Sequence, residues 1–247
     1  MIRPVLVALV SLCVALPAQI ARTAPGDLPR QAKTPEEFDL YLDFVQARDT
    51  ELKHRAALKF EQVYPNSELL VYVYQGELEY ARDRNLQESA VAMGEKALAL
   101  VPDDVVVLLL LAEIIPAGDA DARALDRSEK YARRVLELSE SRRVSPELTL
   151  DDCDALRRKL RSRAHAALGL IALKHGAAPL ATREFETAVS ESPGVDGVQL
   201  YRLARLYLAF GRQADATVLL RKALQIGPPE ISSLAAVELK KGKGEMR

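Results

Sequence analysis

Tryptophan is absent from this 247-residue chain, and aromatic residues make up only 5% of it. The sequence therefore has few large rings to build a core on, and its apolar positions fall to Ala and Leu, both good helix formers. Cysteine occurs only at Cys13 and Cys153, too few for a disulfide framework. Charge is nearly balanced at a formal −1, so no global field attracts nucleic acid or an anionic membrane surface. No segment reads as a convincing strand, and none can lead into a Gly-rich phosphate loop. The histidines are His54, His165 and His175. The last two lie on one predicted helix, roughly 80° apart at about 3.6 residues per turn. No His-Glu-x-x-His, paired-Cys motif or third ligand accompanies them, so neither a metal nor any other cofactor is expected. The 35 acidic residues pair by accident on helices, so a carboxylate dyad would carry no catalytic meaning.

Against these absences stands an ordinary globular balance, with 49% hydrophobic and 28% charged residues. Arg3 precedes a nearly uninterrupted apolar run from Val5 to Leu16, and Pro17-Ala18 follow. This is the layout of a secretory signal peptide over residues 1–18, cut after Ala18. An uncleaved anchor is the alternative, but the run is short for a membrane span. Leu12 before Cys13 disfavours lipid attachment there. The reading leaves no stable membrane span once the signal is removed. Residues 19–34 read as a polar linker. Residues 35–240 form the domain, and the Lys- and Gly-rich residues 241–247 form a flexible tail. Export leaves Cys153 as a solitary thiol, either a small buried hydrophobe or the partner in an intermolecular bridge.

An internal repeat organises the domain. A shift of 35 residues superposes Leu168-Gly169 on Leu203-Ala204, Ala172 on Tyr207 and Gly176 on Gly211. It also superposes Ala181 on Ala216, Phe185 on Leu220, Ala188 on Ala223 and Pro193 on Pro228. Each position has a physical reason. Gly169 and Ala204 let a partner helix approach, and Gly176 and Gly211 end the first helix in the left-handed conformation. Ala181, Phe185 and Ala188 form one stripe of the second helix, and Pro193 stops the unit.

Upstream, Ala90, Ala97 and Pro102 echo Ala216, Ala223 and Pro228. Tyr72, Gly76 and Tyr80 fall out of register and imply a slightly longer first helix, about Glu68 to Arg84. Thr34-Pro35-Glu36-Glu37 is a helix start, with helices expected over Glu36–Ala47 and Asp49–Val63. Asp103 is expected to cap an apolar helix to Ile115, which Pro116 and Gly118 break. Its partner is expected over Asp126–Ser139. The run from Val105 to Ala112 is either the buried central helix or a partner-binding patch. The first helix of the fourth unit is expected to extend back to Ser145 or Asp151. A capping helix is expected over Glu230–Lys240.

The 35-residue pattern of Leu-Gly, Ala, Phe, Ala and Pro resembles the tetratricopeptide repeat, of the exported bacterial type. The resemblance is strong from Arg163 to Pro228 and weak back to Pro35. It departs from the family pattern at His165, expected to pack where the family prefers a large residue. It implies an all-α fold, a right-handed superhelical solenoid of about five antiparallel helix pairs plus the capping helix. That number exceeds the roughly three repeats a solenoid needs to bury a continuous core.

The resemblance also implies function. First helices of the family line a concave groove that binds proteins. This places Tyr201, Arg202 and Arg205 in the groove from the last pair, and Ala166, Leu170 and Lys174 from the pair before. Tyr72, Gln75 and Glu79 are candidates upstream. Tyr201 could instead pack between helices, with the arginines merely solvated. The family's carboxylate clamp of Lys and Asn is not matched. Arg157, Arg158, Lys159, Arg161 and Arg163 form the densest basic cluster, read as a solvated helix face rather than a nucleic-acid site. The expected function is a non-enzymatic scaffold of the envelope or secreted space with a protein or peptide partner. A structural subunit using the outer or terminal faces is the alternative, and an enzyme hidden among the helices is the third.

Overall fold

The computed structural model of the chain describes residues 30–141 and 149–244. Its described residues form eleven helices. The first pair is α1 (Pro35–Gln46) and α2 (Thr50–Val63), the second α3 (Leu70–Asp83) and α4 (Gln87–Leu100). The third is α5 (Val105–Ala117) and α6 (Ala122–Ser141), and the fourth α7 (Leu150–Lys174) and α8 (Ala178–Glu191). The fifth is α9 (Gly197–Ala209) and α10 (Gln213–Ile226), followed by α11 (Pro229–Gly244). Five pairs and a capping helix are therefore present. The signal segment 1–18, the linker up to residue 29 and the Ser145 helix start lie outside the described residues.

The helix ends follow from local chemistry. Thr34 caps α1 by accepting from the Glu37 amide, and the Glu37 carboxylate accepts from the Lys33 amide and the Ser67 hydroxyl, a capping-box arrangement. Asp104, not Asp103, caps α5, accepting from the amides of Val106 and Val107. Asp103 instead receives Arg134 of α6 at 2.7 Å. Two adjacent aspartates compete for one cap, and the helix start decides between them. Thr149 caps α7 through the Asp152 amide.

The left-handed residue ending each first helix aligns three of the pairs. Gly176 and Gly211 have φ +72 and +73, and Asn85 after α3 has φ 58. Behind each, the next amide reaches back five residues, from Leu86 to Ala81, Ala177 to Ala172 and Arg212 to Tyr207, as in a Schellman motif. The second pair therefore keeps the register at a shift of 91 residues from the fourth, and α3 is no longer than α8. The longer first helix expected there is corrected. Its cause is a swap of volumes. In the fourth pair Gly169 on the first helix faces Phe185 on the second, so that a Cβ would lie 2.8 Å from the ring. At the same two places the second pair has Leu78 and Gly94, and a Cβ on Gly94 would lie 2.7 Å from Leu78. The large and small residues exchange helices, and Leu111 of α5 also packs beside Gly94.

Pro116 does not break α5 outright. The helix runs to Ala117 with the proline in its last turn. Lacking an N–H, Pro116 leaves the Ala112 carbonyl without its helical donor. The buried Ser128 hydroxyl of α6 donates to that carbonyl at 3.0 Å. The Val105–Ala112 run is otherwise the buried central helix, with Leu109, Leu111 and Ala112 at 1% exposure or less. α6 starts at Ala122 rather than Asp126, and α11 runs past Lys240 to Gly244. The buried apolar residues form successive clusters along the array, one centred on Phe60 and Leu78 and another on Phe185 and Leu220.

Candidate functional site

Side chains of the first helices show that these helices stand side by side. The Tyr41 and Tyr72 rings join α1 to α3 with centroids 6.3 Å apart. The Gln75 amide donates to Asp104, tying α3 to the start of α5. Arg163 of α7 grips Glu113 of α5 through both carboxylate oxygens, at 2.8 and 2.6 Å. The Lys174 ammonium donates to the Gly118 carbonyl at the end of α5, at 2.8 Å. On α9, buried Gln199 meets Ser162 of α7 at 3.4 Å.

Each interior first helix carries one narrow stripe on the side away from its packed flanks, open to solvent at most positions but buried at Leu110 of α5 and Ala167 of α7. On α9 it consists of Val198, Arg202, Arg205 and Ala209, and the 35-residue shift maps these onto Arg163, Ala167, Leu170 and Lys174 of α7. The shift of 91 maps the latter onto Tyr72, Gly76, Glu79 and Asp83 of α3. On α5 the same spacing picks Val106, Leu110, Glu113 and Ala117. Residues at i, i+4, i+7 and i+11 share one face of a helix. Together the stripes form a continuous face.

This face contains most of the sequence-predicted residues and displaces others. Arg202, Arg205, Leu170, Lys174, Tyr72 and Glu79 all lie on it. Tyr201 and Gln75, expected there, do not, and are corrected. Tyr201 is 8% exposed within the hydrophobic cluster of the last two pairs, where its hydroxyl accepts from Arg205 at 3.4 Å. Gln75 is 4% exposed and serves the α3–α5 contact. One residue turns a helix by about 100°, enough to move either from face to core. Ala166 is buried as well. Glu113 and Arg163 were missed as members of the face. The repeating stripe across the 35-residue shift was the available signal for Arg163.

The electrostatics of the face centre on its arginines. Burial works against the Arg163 charge, but the bond to Glu113 and its charge outweigh this and hold the pKa above the ordinary arginine value. For Arg202 the balance is reversed. Burial lowers its pKa, and the charges of Asp196 and Glu113 offset only part of that. At the α1 end, Tyr72 lines an open cavity of about 730 Å³ with Phe38, Tyr41, Leu69, Arg30 and Lys33.

Elsewhere the notable polar groups hold helices together. His165 pairs with Glu184 at 2.7 Å across the fourth pair rather than packing as an apolar residue. His54 bonds Glu77 and stacks on Tyr80 with centroids 4.8 Å apart. Burial pushes the Glu77 carboxyl up against the lowering effect of that bond. With Glu61 these residues line a cavity of about 210 Å³, where Glu61 holds Tyr74 and Lys96. In the basic cluster, Arg157 pairs with Asp154 and Arg161 with Glu191. Cys153 is buried. Among the described residues no group of His, Cys, Asp and Glu could hold a metal ion, and no helix is long and apolar enough to cross a membrane.

No family model matches the sequence, and neither does any curated protein. Solved structures do resemble it. Crystallised MamA matches with a TM-score of 0.53 at 18% identity, over 72% of this chain and 88% of that one. A MamA RS-1 ArsTM double mutant matches with a TM-score of 0.58 at 12% identity, over 78% and 96%. PilW, described as a widely conserved type IV pilus biogenesis factor, matches with a TM-score of 0.57 at 15% identity, over 85% of each chain. These neighbours are tetratricopeptide-repeat proteins. At such identities the likeness speaks for the fold. The chain has the all-α solenoid fold of tetratricopeptide-repeat proteins, with five helix pairs and a capping helix among the described residues.

Proposed function

We propose that this chain is a non-enzymatic scaffold whose first-helix face forms a concave groove that binds a segment of another protein. The observation that carries the reading is the stripe repeated on α3, α5, α7 and α9, with Tyr72, Glu113, Leu170, Arg202 and Arg205 on one side of the array. Such a face offers apolar area edged by aromatic and arginine side chains, the groups that most often anchor partners. The neighbours of this fold are scaffolds, which supports a binding rather than a catalytic role. We place the protein in the cell envelope or the secreted space, on the signal-like pattern of residues 1–18. A second reading, an assembly subunit that docks by its terminal face, is favoured by Leu234 and Val237 on α11, 46% and 49% exposed.

Photo-crosslinking residues placed singly at Glu79, Leu170, Lys222 and Val237 in the native cell separate the readings. Adducts from Glu79 and Leu170, but not from Lys222 on α10, are expected for groove binding. Adducts from Val237 alone would transfer the function to the terminal face, and silence at every position would sink both. An intact mass beginning at Gln19 in the envelope fraction is expected for export, and one retaining Met1 counts against cleavage.

A further inference from the structure

Arg202 is the most unusual side chain on the first-helix face. It lies half-buried on α9, yet its guanidinium makes no hydrogen bond or ion pair with any described residue. Glu113, an acid across the face whose charge reaches Arg202, is engaged through both oxygens by Arg163. Asp196 is engaged at the start of α9, where it accepts from the amides of Val198 and Gln199. Both acids act on Arg202 only through their charge. A guanidinium carries five donors in a planar fork. Those donors are not sealed in the core, so a group arriving on this face can reach them. The other arginines of this face each have a partner within the fold: Arg163 bonds both oxygens of Glu113, and Arg205 donates to the Tyr201 hydroxyl.

The surroundings define what fits. Leu170 of α7 is partly buried against the cluster that contains Tyr201, and Val198 stands one turn before Arg202 on the same stripe. Arg205 and Lys174 add positive charge on this half of the face, whereas Glu79 and Asp83 lie on the α3 half. Resting on the groove reading above, we infer that Arg202 receives a side-chain carboxylate of the bound protein segment, with an aliphatic neighbour of that acid seated on Leu170. The planar fork takes both oxygens of one carboxylate. The occupant is therefore an Asp- or Glu-containing segment with an adjacent Leu, Ile or Val, running over the α7–α9 half of the array.

Selection of a displayed random 12-residue peptide library on the full purified chain tests this. The wild-type chain is expected to enrich peptides bearing an acid beside an aliphatic residue. A fluorescein-labelled peptide from that pool should bind R202M about tenfold or more weakly, while Arg202→Lys recovers part of the loss. R202E should prefer the same peptide with its acid changed to Lys, a reversal that no folding defect produces. Pools that bind in a Leu170-dependent way, lack acidic enrichment and bind R202M equally would overturn the inference and leave the groove reading standing. If no enriched peptide is weakened by Leu170→Glu in a chain with native helicity, the groove reading falls and this inference with it.

Discussion

Gly169 and Phe185 show how a single residue position sets the approach of two helices. Phe185 is fully buried, and a Cβ on Gly169 would lie 2.8–3.0 Å from three of its ring atoms. Gly169→Ala gains about 1 kcal/mol of helix propensity, but overpacking a filled core costs roughly 1–3 kcal/mol. We expect a net loss of about 1 kcal/mol by urea unfolding. In a Phe185→Leu background the ring is gone and the same change should turn neutral or stabilising. An equal loss in both backgrounds would show that the ring is not the obstacle. The inverted pair Leu78 and Gly94 meets the same constraint with the partners exchanged. This exchange is why the register of α3 was not legible from residue types: a search for small-then-large positions passes over large-then-small ones. Asn85 hid the register further, since it fills the left-handed place that Gly176 and Gly211 occupy elsewhere.

At the scale of elements, α5 carries the least obvious compensation. Its proline removes a donor, and a hydroxyl from the neighbouring helix replaces it. Ser128→Ala is expected to leave the Ala112 carbonyl buried and unpaired, costing about 1–3 kcal/mol. Pro116→Ala restores the backbone N–H, so in that background Ser128→Ala should cost markedly less. A double-mutant cycle on thermal or urea unfolding reads the coupling, and strict additivity would contradict the account. The sequence placed a break at Pro116 because proline lacks the N–H and crowds the preceding turn. What it did not show was a hydroxyl 16 residues away. α7 was readable as an extended helix from the Asp-rich stretch before its basic cluster. Its cap at Thr149 is local to the helix start, whereas the pairing of Arg161 with Glu191 needed the packed partner α8.

Over the whole molecule, contacts run mainly between helices adjacent in the chain, with α5–α7 and α9–α11 packing in addition. Stability in such an array is a sum of local units and their shared faces. α11 covers the last pair by burying Ala235 completely, with Ile231 and Leu239 packed on the same cluster. Ending the chain at Pro228 should therefore speed amide exchange in α9 and α10 and leave α3 and α4 unchanged. A uniform acceleration along all helices would show instead that the array unfolds as one unit. The first-helix face is also a property of this scale. Tyr72, Glu79, Leu170, Lys174, Arg202 and Arg205 were legible because helical spacing and the repeat put them on one side of their own helices. Tyr201 and Gln75 were misplaced because each lies about 100° from that side, a turn that only packing against neighbours resolves.

The sequence by itself determined the helical class, the pairing of neighbouring helices, the 35-residue unit and its stops. Such features follow from propensity, periodicity and the backbone limits of Gly and Pro, which act within a few residues. Only the tertiary structure decided which side chain answers which across the pairs: Leu78 with Gly94, Ser128 with the carbonyl opposite Pro116, and Glu113 with Arg163 50 residues away. These matches depend on volumes and donors brought together from distant positions, and a pattern read along one chain holds no distances between them. The same holds for Arg202, whose arginine type was plain but whose lack of a partner appeared only once its neighbours were in place.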